Sequence, residues 1–285
     1  MYPHLVPPVA FPDVQHGEKY RNFIRKSPSS FSWDWGPAFI PSGIWKPVRL
    51  VYNQDLHVSS VDVRTGRIDT SSWNVAVSLH CIEMSARKTV PDVSYELESL
   101  NHGTKSPGIN SSSVHFEKEN DGMLIMVNFI ATDIRMWYPR GFGDQNLYNL
   151  TLIICSCTGC INSYRILGFR TVELNQDVLN TNDTSQRKFE FVINGRPVYI
   201  KGANMVPLSV FEGGYNSNIS RNKLLSNAFP HDVSIPRDPV TITELFDRVE
   251  FGGINTLRVW GGGVYREDEF YEEADRRGIM IWQVS

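Results

Sequence analysis

Trp33-Asp34-Trp35-Gly36-Pro37 places one carboxylate between two indoles. Indole faces stack on the C–H faces of sugars, and a carboxylate accepts paired hydrogen bonds from hydroxyls, so the quintet has the chemistry of a sugar site. The same residues also suit a tight turn whose tryptophans pack into a core, because large aromatics dominate cores. Arg258-Val259-Trp260 is the second candidate, at the C-terminal end of an apolar strand, where parallel α/β folds keep their sites. An Arg there is costly to bury unpaired, so Arg258 requires an anionic partner, either on a substrate or on a neighbouring side chain.

Other chemistries lack their residues. Gly261-Gly262-Gly263 has neither the G-x-G-x-x-G spacing nor the Lys-Ser/Thr ending of a phosphate loop, and reads as loop flexibility. The seven histidines form no H-x-x-x-H pair on a helix and no serine sits in G-x-S-x-G, so metal hydrolysis and a serine triad are unsupported. Glu267, Asp268, Glu269, Glu272 and Glu273 read as a solvated helix face. Cys81 stands apart from Cys155, Cys157 and Cys160, whose C-x-C-x-x-C spacing lacks a fourth local zinc ligand. A disulfide within that cluster and plain thiols both remain open; no metal or cofactor is expected.

These residues need elements to hold them. The 285 residues allow two or three domains. With 28 Lys+Arg against 31 Asp+Glu the net charge is -3, so no basic field recommends nucleic acid as a partner. No uncharged run is apolar enough to span a bilayer, so no membrane is expected. Met1-Tyr2-Pro3-His4 lacks the basic start of a signal peptide. Sequons at Asn110, Asn149, Asn182 and Asn218 permit a secretory route without requiring one.

Residues 1–21 are Pro-rich and irregular. Gly43 to Tyr52 reads as a strand after the aromatic turn. From Leu56 the pattern is all-β: Trp73, Val75, Val77, Leu79 and Cys81 alternate with polar or small residues, Met123 to Ile130 is a continuous apolar run, and Tyr148, Leu150, Leu152 and Ile154 alternate again. A small β-sandwich is predicted. Beyond Arg187 the grammar changes. Asn194-Gly195 signals a hairpin, and Thr241-x-x-Glu244 caps an amphipathic helix with Ile242, Leu245, Phe246 and Val249 on one face. A strand from Asn255 to Trp260, a helix from about Glu267 to Arg277 closed by Gly278, and a strand from Ile279 to Trp282 follow. The order β, α, β, α, β builds a parallel sheet.

Four stretches together resemble glycoside hydrolase family 2, and within it the β-mannosidases. They are Phe31–Pro37 with Gly43–Lys46; Trp137-Tyr138-Pro139-Arg140-Gly141-Phe142-Gly143 through Tyr148, with Gly168-Phe169-Arg170; Phe191–Pro197 running into Lys201–Asn204; and Asn255-Thr256-Leu257-Arg258-Val259-Trp260-Gly261-Gly262-Gly263-Val264-Tyr265. The resemblance implies a multidomain β plus α/β chain: the end of a sugar-binding jelly-roll sandwich in 1–53, an immunoglobulin-like β-sandwich in 54–172, and the first part of an incomplete (β/α)8 barrel in 173–285. It implies that Asp34 and Trp35 reach into the terminal-sugar subsite, Asp34 bonding mannose hydroxyls, and that Asn204, Arg258 and Trp260 also meet substrate.

The implied activity is hydrolysis, with retention, of terminal non-reducing β-D-mannose from mannose-terminated oligosaccharides, in a lysosome or secretory space for the intact homologue. Two departures stand out. Met205-Val206-Pro207-Leu208-Ser209 replaces the family's Trp-Ile-Pro-x-Asp, before a Phe211–Pro239 stretch that looks elongated. Both catalytic glutamates, which the family takes from later barrel strands, are missing, so this chain by itself is expected to be inactive. A glycan-binding module without catalysis is the rival reading. Another family 2 specificity is a second rival, although β-galactosidases and β-glucuronidases usually carry a histidine-containing sequence at Trp260-Gly261-Gly262.

Overall fold

The structure, a computed structural model, describes residues 24–44, 48, 50–52, 55–83, 90–101, 108–119, 122–157, 159–180, 183–208 and 242–284. The chain divides into two compact units. One contains the described residues of Met1–Val48, Lys201–Ala274 and Met280–Ser285, the other those of Arg49–Ile200 and Asp275–Ile279.

A 3-10 turn at Pro28–Ser30 leads into β1 (Phe31–Trp33) and β2 (Gly36–Ala38), an antiparallel pair with Trp33 opposite Gly36. The strand expected over Gly43 to Tyr52 is not formed by the described part of that run. Ile44, Val48, Leu50, Val51 and Tyr52 lie outside any strand, and Ile44 and Leu50 are 84% and 86% exposed. The reason is the ladder: among the described residues no strand lies beside the run to pair with it.

The second unit is a sandwich of β3 (Leu56–Arg67), β4 (Trp73–Glu83), β5 (Asp92–Ser99), β6 (Gly108–Glu119), β7 (Gly122–Thr132), β8 (Tyr148–Ser156) and β9 (Gly159–Leu167). One antiparallel sheet runs β3-β4-β7-β6 and the other β5-β8-β9. Period-two patterning sets the faces. Trp73, Val75, Val77, Leu79 and Cys81 of β4 and Tyr148, Leu150, Leu152 and Ile154 of β8 all point into one core, as the alternation predicts. The apolar run of β7 also alternates in burial, with Ile125, Val127, Phe129 and Ala131 inward. Asp69 fixes the β3–β4 turn by accepting the N–H groups of Ser71 and Ser72, each at 2.8 Å, which holds its carboxyl below the ordinary range. Cys155 and Cys160 face each other across the β8–β9 hairpin and form a disulfide; Cys157 is an exposed thiol and Cys81 a buried one.

Tyr148 supplies a test of this core. Its buried hydroxyl accepts the N–H of Arg135 at 2.7 Å, and burial pushes the phenol above its ordinary value of 10.0, with the Arg135 bond opposing. A raised folded pKa gives stability that is whole below the unfolded pKa of about 10 and is lost as pH climbs through the folded value. Burial raises the Tyr271 phenol as well, so alkaline absorbance titration should show late-ionising phenols of which Tyr148→Phe removes one component.

After the sandwich come β10 (Val172–Asn175), β11 (Val178–Asn180), β12 (Asp183–Arg187), β13 (Glu190–Ile193) and β14 (Arg196–Val198). The predicted hairpin is present: β13 and β14 pair across Asn194 and Gly195, both at positive φ (52° and 77°) as a type I′ turn needs. Asn194 also donates to the Trp137 carbonyl at 2.9 Å and accepts the N–H of Thr171 at 2.9 Å.

The first unit continues with β15 (Gly202–Met205), α1 (Ile242–Phe251), β16 (Thr256–Val259), α2 (Asp268–Arg277), whose residues from Asp275 on count with the second unit, and β17 (Met280–Gln283). The three strands are parallel in the order β15-β16-β17. Ile242, Phe246 and Val249 bury the face of α1 that the spacing predicts, with Leu245 at its margin. Thr241 of the proposed cap lies outside the described residues, as do residues 1–21 and Phe211–Pro239. Gly278, at φ +72°, closes α2 as expected. No described helix is long and apolar enough to cross a membrane.

Candidate substrate-binding site

Strand alternation splits β16 between two jobs. Leu257 and Val259 are buried, as are Phe246 and Phe270, whose rings lie 5.2 Å apart. Arg258 turns to the opposite face, in register with Asn204 of β15 and Trp282 of β17. The anion required by Arg258 is not what it meets among the described residues: its Nη1 donates to the amide oxygen of Asn204 at 3.1 Å. A neutral acceptor satisfies one donor and leaves the positive charge uncompensated among the described residues, which favours an electron-rich ligand at this face.

Trp260 follows β16 directly, and its backbone N–H is held by the Met205 carbonyl at 2.9 Å. Its indole meets Trp33 at 4.9 Å and, edge-on, Trp35 at 5.8 Å. These two arrive on the β1–β2 hairpin, with Asp34 and Trp35 as its two-residue tip. Three features seat the hairpin. Phe31 is fully buried, Ser32 at φ 81° donates its hydroxyl to the Gly36 carbonyl at 2.9 Å, and the Ser29 N–H donates to the Gly262 carbonyl at 2.8 Å. Asp34 is exposed and Trp35 is 42% exposed. The tight turn and the sugar site are therefore compatible: Trp33 is half-buried, while Asp34 and the free face of Trp35 remain open to ligand.

Asp34, Trp35, Asn204, Arg258 and Trp260 thus all fall in one unit; four of them form two contact groups, Arg258 with Asn204 and Trp260 with Trp35, and Asp34 is the neighbour of Trp35 at the hairpin tip. Trp33 belongs to the second group and was legible only as part of the motif. The Ser29–Gly262 tie is a backbone bond with no sequence signal. The Gly261-Gly262-Gly263 reading as flexibility is corrected: a Cβ on Gly262 would enter the Trp260 ring and one on Gly263 would lie 2.8 Å from Pro207 Cγ, so close packing excludes side chains there. An open groove of about 760 Å³, bordered by Tyr52, His57, Asn162 and Arg165, lies on the sandwich and includes none of these residues. Among the described residues no group of three His, Cys, Asp or Glu is placed to hold a metal.

Residues 3–46 match the family described as glycosyl hydrolase 2 galactose-binding domain-like. Over 99% of its length the chain is 31% identical to a probable beta-mannosidase of Caenorhabditis elegans, and over 98% it is 32% identical to the beta-mannosidase of Mus musculus. A crystal structure of the beta-D-mannosidase of Dictyoglomus thermophilum superposes on 94% of the chain with a TM-score of 0.70 at 29% identity. The chain is thus similar along nearly its whole length to beta-mannosidases, and over residues 3–46 to the glycosyl hydrolase 2 family. It spans 28% of the nematode protein, 29% of the mouse protein and 29% of the bacterial chain. A beta-glucuronidase of Parabacteroides merdae, at 13% identity and a TM-score of 0.55, shares the fold.

The other motifs of the resemblance make contacts within the fold. The Trp137 N–H is held by the Phe169 carbonyl, and the guanidinium of Arg170 lies 4.5 Å over the Trp137 ring. Trp137 Nε1 donates to the Asp275 carbonyl at 2.7 Å within the sandwich unit. Met205, where the family tends to show Trp, is buried, and Pro207 packs beneath Gly263. Of the sequons, Asn149 is half-buried on the outward side of β8, its Nδ2 donating to Thr151 of its own sequon at 3.4 Å. Asn110 lies in β6, and Asn182 and Asn218 fall outside the described residues.

Proposed function

We propose that the chain carries the terminal-sugar binding part of a retaining β-mannosidase, in which Asp34 accepts mannose hydroxyls and Trp35 and Trp260 stack on the sugar ring. The observation that carries this reading is the clustering of Trp33 and Trp35 around Trp260 with Asp34 exposed beside them. Arg258 and Asn204 supply donors and acceptors from the adjacent strand ends. The β-mannosidase relatives favour mannose over other sugars.

The architecture proposed with it is the end of a jelly roll in 1–53, an immunoglobulin-like sandwich in 54–172 and the start of a (β/α)8 barrel in 173–285. Strand orders β3-β4-β7-β6 and β5-β8-β9 support the middle assignment, since they match the four-plus-three order of constant-type immunoglobulin domains. Two successive β-α-β units with parallel neighbours support the last. A lysosomal or secretory setting is consistent with the Cys155–Cys160 disulfide, because such bonds persist in oxidising compartments. We further propose that these 285 residues alone bind but do not hydrolyse.

Titration calorimetry with methyl β-mannoside tests the site. A hydrogen bond to a charged group is worth about 1.5–3 kcal/mol, so Asp34→Ala should weaken binding by about ten- to a hundredfold. Unaltered affinity would make Asp34 a turn residue only. Equal affinity for methyl β-galactoside or β-glucuronide would remove the mannose assignment.

A further inference from the structure

We infer that Gly262 is a positioning residue that seats the indole of Trp260, an inference whose functional meaning rests on the sugar-stacking role proposed above. Glycine is usually placed where the backbone takes a positive φ, but none of Gly261, Gly262 and Gly263 does so. Space is the constraint instead. A Cβ on Gly262 would collide with Cζ2 and Cη2 of Trp260 and stand 2.6 Å from Cε2. Gly262 is itself buried, so the six-membered ring of the indole folds back onto its bare Cα.

The same residue holds the other side of the cluster. Its carbonyl accepts the Ser29 N–H at 2.8 Å, two residues before β1 begins and four before Trp33. Gly262 therefore links the strand-end indole to the hairpin that brings Trp33 to 4.9 Å and Trp35 to 5.8 Å from it. A methyl group at this point leaves two responses. Either the half-buried indole swings out about its side-chain torsions, or the loop lifts and the Ser29 bond breaks. Both separate Trp260 from Trp33, while Asp34, Asn204 and Arg258 keep their own supports. The neighbouring glycines do different work: Gly261 would meet Val284 at 3.0 Å and Gly263 would meet Pro207, neither of them part of the indole cluster.

The test uses the 285-residue protein with Gly262→Ala, Trp260→Ala, both together, and Gly66→Ala as a control whose added Cβ would meet nothing within 4 Å. Adjacent indoles give an exciton couplet in far-UV circular dichroism. Gly262→Ala should abolish that couplet as completely as Trp260→Ala does, and should weaken methyl β-mannoside binding to the level of Trp260→Ala. The thermal midpoint should fall with Gly262→Ala in the wild-type background. It should not fall when the same change is made on Trp260→Ala, where no ring remains to be struck.

Should Gly262→Ala fail to fold, the double variant must recover the fold. A retained couplet, an equal midpoint shift in both backgrounds, or a double variant that still fails to fold would each overturn the inference. If the wild type binds no mannoside, the sugar reading fails, while the couplet and the double-variant comparison still decide the role of Gly262.

Discussion

Purified protein of these 285 residues is expected to release no nitrophenol from nitrophenyl β-mannoside above a buffer blank. Retaining hydrolysis needs two carboxyl groups about 5–5.5 Å apart, one to protonate the leaving oxygen and one to attack the anomeric carbon. The residues at the C-terminal ends of β15, β16 and β17 are Met205, Val206, Trp260, Gln283 and Val284, none of them acidic. Asp34, at the proposed binding position, is a single carboxylate. Asp268, Glu269 and Glu272 are exposed along α2. Losing one catalytic side chain can cost about four to six orders of magnitude in kcat, and the proposed function places neither carboxylate of the pair in these residues. Turnover that survives repurification and tracks the protein would mean that other residues perform the chemistry. Mannoside binding without turnover is the combination that the proposed function requires.

The sandwich was legible because its physics is local. Alternation along β4 and β8 names the inward residues one by one, and Asn194-Gly195 names its turn by the two positive φ values it needs. The helix face of α1 was equally readable from the 3.6-residue spacing of Ile242, Phe246 and Val249. Misreadings arose where partners decide. Apolar residues from Gly43 to Tyr52 look like a strand, but a ladder needs a neighbour, and sequence does not reveal whether one is present. Three successive glycines look flexible, whereas what they avoid is a clash with Trp260, Pro207 and Val284, two of which lie at least 20 residues away in the chain. The anion inferred for Arg258 followed correctly from the cost of an unpaired charge, but the amide of Asn204, 54 residues earlier, takes one of its donors. The site residues were named through motif resemblance, and their grouping into an indole cluster and an Arg–Asn pair required the fold.

The second large effect is predicted at Trp73, which no sugar contacts in the proposed scheme. It is fully buried at the start of β4, opposite Arg67 on one side and Ala131 on the other. Its ring meets Phe169 edge-on at 5.5 Å, and Phe169 meets Tyr148 edge-on at 5.3 Å, so the three aromatics join strands of both sheets to the segment after β9. Trp73→Ala should cost about 3–5 kcal/mol, the transfer free energy of the indole plus the cavity it leaves. Against a total stability of about 5–15 kcal/mol, that loss brings the sandwich close to unfolding at room temperature. Trp73→Phe should cost distinctly less. The indole N–H is buried without a hydrogen-bond partner among the described residues, and phenylalanine removes that donor while keeping most of the ring. Urea unfolding followed by circular dichroism measures both: the midpoint should fall steeply for Trp73→Ala and modestly for Trp73→Phe, with unchanged slopes. Equal losses for the two variants would show that a phenyl ring cannot take the place of the full indole in this packing, and an unchanged midpoint for Trp73→Ala would remove it from the core altogether.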